Sequence, residues 1–152
     1  MRTFTTATEL HSAVGEAMGT SDWKLITQDM VDGFAEATGD HQWIHVDVDR
    51  ATRESPFGGP IAHGYLSFSL LPALAAQIYT VDGARLVVNY GSNKVRYVNP
   101  VLVGARVRLH STFASVDEVK GGSFQVAVSH TLEIEDTPKP ALVAQTISRI
   151  LF

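Results

Sequence analysis

Residues 64 to 79, "GYLSFSLLPALAAQIY", form the segment around which the rest of the chain must be arranged. Apolar side chains occur all round its helical wheel, and none of its residues carries a charge. A helix of this composition has no face suited to water, so we expect the remaining elements to enclose it. Pro72 lacks a backbone donor and therefore predicts a kink, or a break into two shorter helices.

The sequence beyond Gly83 alternates between apolar and polar residues in the manner of β-strands. Five segments show this pattern: 85–91, 94–98, 105–116, 123–134 and 140–151. Their short connections, such as the two glycines at 121–122, favour antiparallel pairing. A wholly apolar helix followed by one long antiparallel sheet predicts a single α+β hot-dog fold, with about five strands wrapped around a buried central helix.

The composition is that of one globular domain spanning residues 1–152. Apolar residues make up 45% of the chain and charged residues 18%, values that argue against disorder and coiled coil. The absence of cysteine excludes disulfides, thiolate zinc sites and cysteine nucleophiles. We find no signal peptide and no membrane span, and therefore expect a cytoplasmic protein. A net charge of −4 argues against nucleic-acid binding.

The first third of the chain is predicted to be helix and loop. Residues 6–18 form a weakly amphipathic pattern, and residues 28–38 form a stronger one. Thr27 can cap the second helix, while Gly39 suits the left-handed position that ends it. Asp40 therefore lies immediately beyond a helix end.

The segment "GDHQWIHVD", residues 39 to 47, places the carboxylate of Asp40 five residues before the imidazole of His45. Near Trp43 and the apolar helix, desolvation would raise the pKa of an aspartate and lower that of a histidine. Both groups would then suit proton transfer near neutral pH, as the addition or removal of water at an activated double bond requires. The alternative is that Asp40 caps a turn and His45 is a satisfied loop histidine.

Gly64 stands at the start of the apolar helix, where first-turn amides have no intrahelical partner. Lacking a Cβ, it would let a substrate carbonyl approach its N–H, as in an oxyanion hole. It could equally serve only close packing or a turn. The neighbouring His63 is either a second polar residue of the site or a hydrogen-bonded structural histidine.

Positive charge is concentrated in one part of the sequence, because no acidic residue occurs between Asp82 and Asp117. The basic residues of that segment are Arg85, Lys94, Arg96, Arg106 and Arg108. They indicate either an anion-binding patch or a solvated strand face whose charges are balanced by acids elsewhere in the fold.

Two segments together resemble a known family, the MaoC-like (R)-specific enoyl-CoA hydratases or 3-hydroxyacyl-thioester dehydratases. These segments are "FAEATGDHQWIHVDVDRA" and "PFGGPIAHGYLSFSLLPAL", and the likeness is strongest to the branch named after nodulation protein N. The positions that match the family pattern are Asp40, Ile44, His45, Ile61, His63 and Gly64. Gln42 and Trp43 depart from the Asn-Pro that is usual in the family.

The resemblance implies syn addition of water to a trans-2-enoyl thioester, giving the (R)-3-hydroxyacyl thioester, and the reverse reaction. Asp40 and His45 would share the proton transfers, and the Gly64 amide would polarise the thioester carbonyl. No metal or redox cofactor is implied. The substrate would be an acyl-CoA or acyl-carrier-protein thioester, and the protein a homodimer. Further candidates for substrate contact are His63, Trp43, Lys94 and Arg96.

Three other functions compete with this interpretation. A metal site could use His41 and His45 with nearby aspartates, although the two histidines share a face only on a helix. A thioesterase of the same fold would place a carboxylate on the central helix, but residues 63–81 contain none. A non-catalytic acyl-thioester-binding protein would not need both Asp40 and His45.

Overall fold

The chain forms one large antiparallel sheet, a small two-stranded sheet and six short helices. The computed structural model describes residues Met1–Phe152. The helices are α1 (Ala7–Ser12), α2 (Gln28–Thr38), α3 (Trp43–Val46), α4 (Val48–Glu54), α5 (Gly64–Ser69) and α6 (Leu71–Ala75). The strands are β1 (Arg2–Phe4), β2 (Ala17–Thr20), β3 (Lys24–Leu25), β4 (Tyr79–Val81), β5 (Leu86–Tyr97), β6 (Arg106–Val119), β7 (Ser123–Ile134) and β8 (Leu142–Leu151).

The large sheet has the strand order β2-β6-β7-β8-β5, and β3 also pairs with β6. Every pairing in it is antiparallel, whereas β1 and β4 form a separate parallel pair. Inward side chains of β6, β7 and β8 pack with α5 and α6 in one core cluster. The predicted α+β fold, with an antiparallel sheet against a central helix, is confirmed.

Strand β5 corrects the prediction of separate strands at 85–91 and 94–98. It is a single strand that pairs with β8 over its whole length. The register shifts between Asn89 and Gly91 and again between Ser92 and Lys94. Each bulge breaks the period-2 alternation locally without ending the pairing, so the sequence pattern looked like a gap between strands.

The predicted helix over 6–18 is also wrong in its second half. Helix α1 ends at Ser12, and Ala17–Thr20 instead forms β2 against β6. Gly15 lies between them with a φ of 85°, a left-handed conformation that reverses the chain. Pairing with a distant strand here overrides a weak local helical pattern.

The central helix is broken as Pro72 predicted, into α5 and α6. Its inner face is buried, with Leu66, Leu71 and Leu74 in the core. The outer face is not enclosed, and the Tyr65 side chain is 70% exposed. The expectation of a fully enclosed helix therefore fails for one chain, because the sheet covers the helix from one side only.

Helix α2 matches its prediction in both boundaries. The Thr27 side chain accepts a hydrogen bond from the Met30 amide, and Gly39 ends the helix with a φ of 78°. The segment 40–62, for which the sequence predicts no helix, contains the short helices α3 and α4. None of the helices is long and apolar enough to cross a membrane.

Candidate active site

The end of α2 and the single turn of α3 bring Asp40 and His45 to one place. Gly39 terminates α2, and the Asp40 carboxylate accepts from the Gln42 amide at 3.4 Å in the turn that follows. The His45 carbonyl accepts from the Gln28 side chain at 2.8 Å, which ties α3 to the start of α2. These contacts place the carboxylate and the imidazole on the same side of the loop.

His45 is a buried imidazole, with 6% of the residue exposed. Its Nδ1 lies 2.7 Å from the carbonyl oxygen of Ile61. Because a carbonyl can only accept, Nδ1 carries the proton and Nε2 keeps a lone pair. Burial lowers the pKa of His45, and the nearby His63 lowers it further, while the Ile61 carbonyl and Asp40 act in the opposite direction. His45 is therefore neutral at physiological pH and able to accept a proton at Nε2.

His63 contacts both members of this pair. It is 2% exposed, and its Nε2 donates to the main-chain carbonyl of Asp40 at 2.9 Å. Its ring stacks on that of His45 with centroids 3.8 Å apart, and Phe34 lies on it at 5.0 Å. The sequence allowed two roles for His63, and these contacts are those of a hydrogen-bonded structural histidine.

The Asp40 side chain is more exposed than the sequence predicted. It is 52% exposed, so the desolvation expected for this carboxyl does not occur within the single chain. A carboxylate oxygen lies 4.0 Å from His63 Nε2. The turn-capping role and the catalytic role that the sequence left open are compatible, because the Gln42 amide engages only one oxygen.

Asp40, His45 and His63 are also a group of potential metal ligands, with ligand atoms within 4.8 Å of one another. His41, which the metal alternative used, lies instead near Glu36 on the surface. To bind one ion, the nitrogen lone pairs of His45 and His63, which lie in the ring planes, would have to point at the same position. Because the two rings are stacked, these lone pairs point in side-by-side directions instead. One nitrogen of each ring is also bonded to a main-chain carbonyl. The group suits proton transfer better than metal binding.

A cavity of about 300 Å³ opens beside His45. Its walls include Gly64, Ser67, Tyr97, Asn99 and Val101. Sequence reasoning found Gly64 but missed the others. Ser67 had a detectable signal, since it follows Gly64 by three residues on one helix face. Tyr97 and Asn99 reach the cavity only through the sheet register and had none.

Gly64, the first residue of α5, lines this cavity. A Cβ placed on Gly64 would come within 3.1 Å of the Tyr97 ring. Tyr97 in turn contacts Tyr65 edge-on, with ring centroids 6.1 Å apart. Any side chain at position 64 would therefore force the Tyr97 ring or the start of α5 to shift by a few tenths of an ångström.

The remaining predicted contacts lie away from this cavity. Trp43 is half-buried on α3 and stacks under the guanidinium of Arg50 at 4.3 Å. Lys94 and Arg96 are exposed on β5, opposite Gln145 and Val143. The structure thus brings together Asp40, His45, His63 and Gly64 but not Trp43, Lys94 and Arg96.

Two of the five basic residues in the positive segment are neutralised by acidic residues of β7 and the turn that follows it. Arg108 forms an ion pair with Glu133 at 2.7 Å, and Arg106 forms one with Glu135 at 3.2 Å. Glu133 also accepts from His110, and these hydrogen bonds lower the pKa of its carboxyl. Arg106 and Arg108 therefore belong to the balanced strand face, the second of the two interpretations.

Comparison with known proteins assigns the family. Residues 9–134 match the family described as MaoC like domain. The 3-hydroxyacyl-thioester dehydratase Z of Mycobacterium tuberculosis (strain ATCC 25618 / H37Rv) is 52% identical over 149 residues, which cover 98% of each chain. Nodulation protein N of Rhizobium meliloti (strain 1021) is 40% identical over 141 residues, which cover 92% of this chain and 88% of that protein.

A solved structure supports the same fold. The (R)-hydratase from A. caviae involved in PHA biosynthesis is similar with a TM-score of 0.70 over 88% of this chain and 95% of that chain, at 21% identity. The predicted resemblance and the hot-dog fold are confirmed. With the family match across most of its length and relatives of 52% and 40% identity, this chain belongs to the MaoC-like dehydratase family.

Proposed function

We infer that the protein catalyses the reversible hydration of trans-2-enoyl thioesters to (R)-3-hydroxyacyl thioesters. The observation that carries this inference is the arrangement of His45, buried beside a cavity with a free Nε2 and an aspartate within 4.8 Å. The relative that is 52% identical carries the name of a dehydratase acting on 3-hydroxyacyl thioesters, which supports the same reaction.

In the hydration direction, a water molecule held between Asp40 and His45 attacks C3 of the enoyl group. The pair takes one proton from the water as its oxygen bonds to C3. The electron pair of the double bond shifts into the thioester, giving an enolate, and C2 then receives a proton from the same pair on the same face. The neutral His45 accepts through Nε2 because Nδ1 is occupied by the Ile61 carbonyl.

Gly64 is proposed to stabilise the enolate oxygen through its backbone N–H. It faces the cavity that His45 lines, and the first amide of α5 has no intrahelical partner. A donor aimed at the developing negative charge lowers the barrier by several kcal/mol in comparable sites, about 2.7–4 kcal/mol for one hydrogen bond. The Tyr97 ring beside Gly64 limits how the thioester can lie.

The acyl group is carried by CoA or by an acyl carrier protein in this proposal, in the cytoplasm where such thioesters are made. Lys94 and Arg96 are the candidates for contact with the carrier's phosphates, since neither forms an ion pair with a carboxylate in this chain, unlike Arg106 and Arg108. Trp43 is retained as a candidate contact at the rim of the loop. The reaction uses no metal or redox cofactor, so full activity is expected in the presence of a chelator.

The active unit is proposed to be a homodimer formed along β5. This strand is an edge of the sheet, twelve residues long, with exposed apolar side chains on both faces. The large ones are Leu86, Val87, Val88, Tyr90 and Tyr97, each between 45% and 62% exposed. An open apolar edge of this length pairs readily with another chain, and a second copy would also cover the exposed Tyr65 face of the central helix.

A spectrophotometric assay tests the proposed reaction directly. Purified protein with crotonyl-CoA should consume the enoyl absorbance without releasing free thiol. Release of thiol with the enoyl absorbance unchanged would instead identify a thioesterase. Tight binding with neither change would identify a non-catalytic acyl-thioester-binding protein.

A further inference from the structure

A second cavity lies one helical turn beyond the first, between α6 and the inner face of the sheet. It has a volume of about 230 Å³. Ser67 lines the first cavity and Leu71 lines the second, so the two are separated by about 6 Å along the helix. On the sheet, Ala144 stands two residues before Thr146 on β8, opposite Val95 of β5.

The helix side of this second cavity is apolar, whereas its sheet side carries polar residues beside Val87. These polar residues are Asn89, His130, Thr146 and Ser148. Ser111, His130 and Thr146 form a polar row across β6, β7 and β8 on the inner face. The serine lies directly opposite the histidine, and the threonine lies diagonally from it on the next strand. A wall made for a plain hydrocarbon would be expected to carry valine or leucine at these positions.

Donor and acceptor can be assigned for each hydrogen bond in the polar row. His130 is 4% exposed, and its burial lowers the pKa to about 4, so the ring is neutral at physiological pH. Ser111 is 2% exposed and lies 3.0 Å from His130 Nδ1. If Ser111 accepted from Nδ1, its own hydroxyl proton would be buried without an acceptor. Ser111 therefore donates to Nδ1, and the ring proton resides on Nε2.

The hydrogen bonds of the polar row lead from Ser111 through His130 to Thr146 at the cavity. His130 Nε2–H donates to the Thr146 hydroxyl oxygen at 3.0 Å. The Thr146 hydroxyl hydrogen is then free to donate to a group inside the cavity that Thr146 lines. Ser148 and Asn89 stand at facing positions of β8 and β5 in the same wall, and either can accept from a bound hydroxyl.

We propose that this cavity receives the far end of the acyl chain and selects tails carrying a neutral oxygen, a hydroxyl or keto group, that accepts from Thr146. The proposal rests on the enoyl-thioester hydratase function inferred above. Leu71 and Ala75 follow Gly64 by seven and eleven residues, so the polar group would lie about 10 to 16 Å beyond the thioester. None of the residues that line the cavity is positively charged, so a carboxylate tail has no partner there.

The test compares kcat/KM for two series of trans-2-enoyl-CoAs of about eight to twelve carbons, one ending in a methyl group and one in a hydroxyl. The wild-type protein should prefer the hydroxylated series at its best chain length by at least about fivefold, the contribution of one hydrogen bond. Thr146→Val should abolish that preference, so that the ratio of kcat/KM between the two series falls to about one. Thr146→Ser keeps the hydroxyl and should keep the preference.

Thr131→Val is the matched control, because Thr131 lies on the outer face of β7, paired with Val143 and away from the cavity. A wild-type ratio at or below one, or a ratio unchanged in Thr146→Val, would overturn the proposed tail selection while hydration of both series upholds the enzyme's function. Failure to hydrate either series would overturn the function itself and this proposal with it.

Discussion

The imidazole rings of His45 and His63 stack with centroids 3.8 Å apart and planes inclined by 27°. One ring nitrogen of each is bonded to a main-chain carbonyl, that of Ile61 for His45 and that of Asp40 for His63. The stack therefore fixes both members of the proposed acid/base pair, His45 through its ring and Asp40 through its backbone. His63 is a positioning residue in this arrangement.

Replacement of His63 by phenylalanine should lower kcat about tenfold, because the aromatic ring can still stack but no donor reaches the Asp40 carbonyl. The same change removes the electrostatic influence of His63, which lowers the pKa of His45, so that pKa rises. The acid limb of the pH profile of kcat/KM should then move to higher pH. His63→Gln, which retains a donor, should recover part of kcat, but the acid limb should stay at the higher pH. An unshifted limb in both variants would contradict the electrostatic role of His63.

Asp40→Asn and His45→Gln should each reduce turnover by at least about 100-fold, the contribution expected of a general acid or base. Circular dichroism and the melting temperature should stay close to those of the wild type for Asp40→Asn, since that side chain is half exposed. His41→Gln, in the same loop but on the surface, is the matched control and should remain active. Near wild-type turnover in both site variants would refute the assignment.

Gly64→Ala should lower kcat/KM by roughly ten- to 100-fold, which is less than the roughly 100- to 1000-fold expected when an oxyanion-hole donor is removed outright. The new methyl group would lie 3.1 Å from the Tyr97 ring, so the ring or the helix end must shift. Gly33→Ala is the control, because a Cβ there meets nothing within 4 Å. That control should keep full activity and gain about 0.5–1 kcal/mol of stability in α2.

The free energy of unfolding should fall with acidification between pH 6.5 and about 4 because of His130. Burial depresses the folded-state pKa to about 4, so the unfolded chain binds the proton first. The stabilisation is therefore complete above pH 6.5 and is lost as pH decreases towards 4, at up to about 1.4 kcal/mol per pH unit. Urea unfolding across this range would measure the slope, and His130→Asn should flatten it. An identical slope in the variant would show that His130 titrates normally.

Val88→Lys should convert the proposed homodimer into a monomer. Val88 is 45% exposed on the edge strand β5, and a charged residue there opposes pairing with another edge. Sedimentation equilibrium would measure the change. Val14→Lys, 37% exposed and outside the sheet, is the control and should leave the assembly unchanged. A monomeric wild-type protein would remove the proposed interface.

Local sequence signals predicted those parts of the fold that local chemistry controls. Thr27 and Gly39 set both ends of α2, and Pro72 broke the central helix. The failures occur where a distant partner decides the conformation. Ala17–Thr20 is a strand because β6 lies beside it, and β5 is continuous because β8 holds it through two bulges.

The site shows the same division between local and distant control. Asp40 and His45 could be found because both follow one helix end within six residues. The partners that define their chemistry are remote in sequence, since the Ile61 carbonyl lies 16 residues from His45 and His63 lies 23 residues from Asp40. The ion pair between Arg108 and Glu133 likewise depends on the β6–β7 register, which the sequence pattern does not specify.

The central claim is that Asp40 and His45 act on one water molecule from a single face of the substrate. Hydration of crotonyl-CoA in D₂O, followed by analysis of both carbon centres of the product, tests it most directly. We expect the (R)-3-hydroxyacyl thioester with deuterium at C2 on the same face as the hydroxyl. An (S) product, or deuterium on the opposite face, would contradict the account.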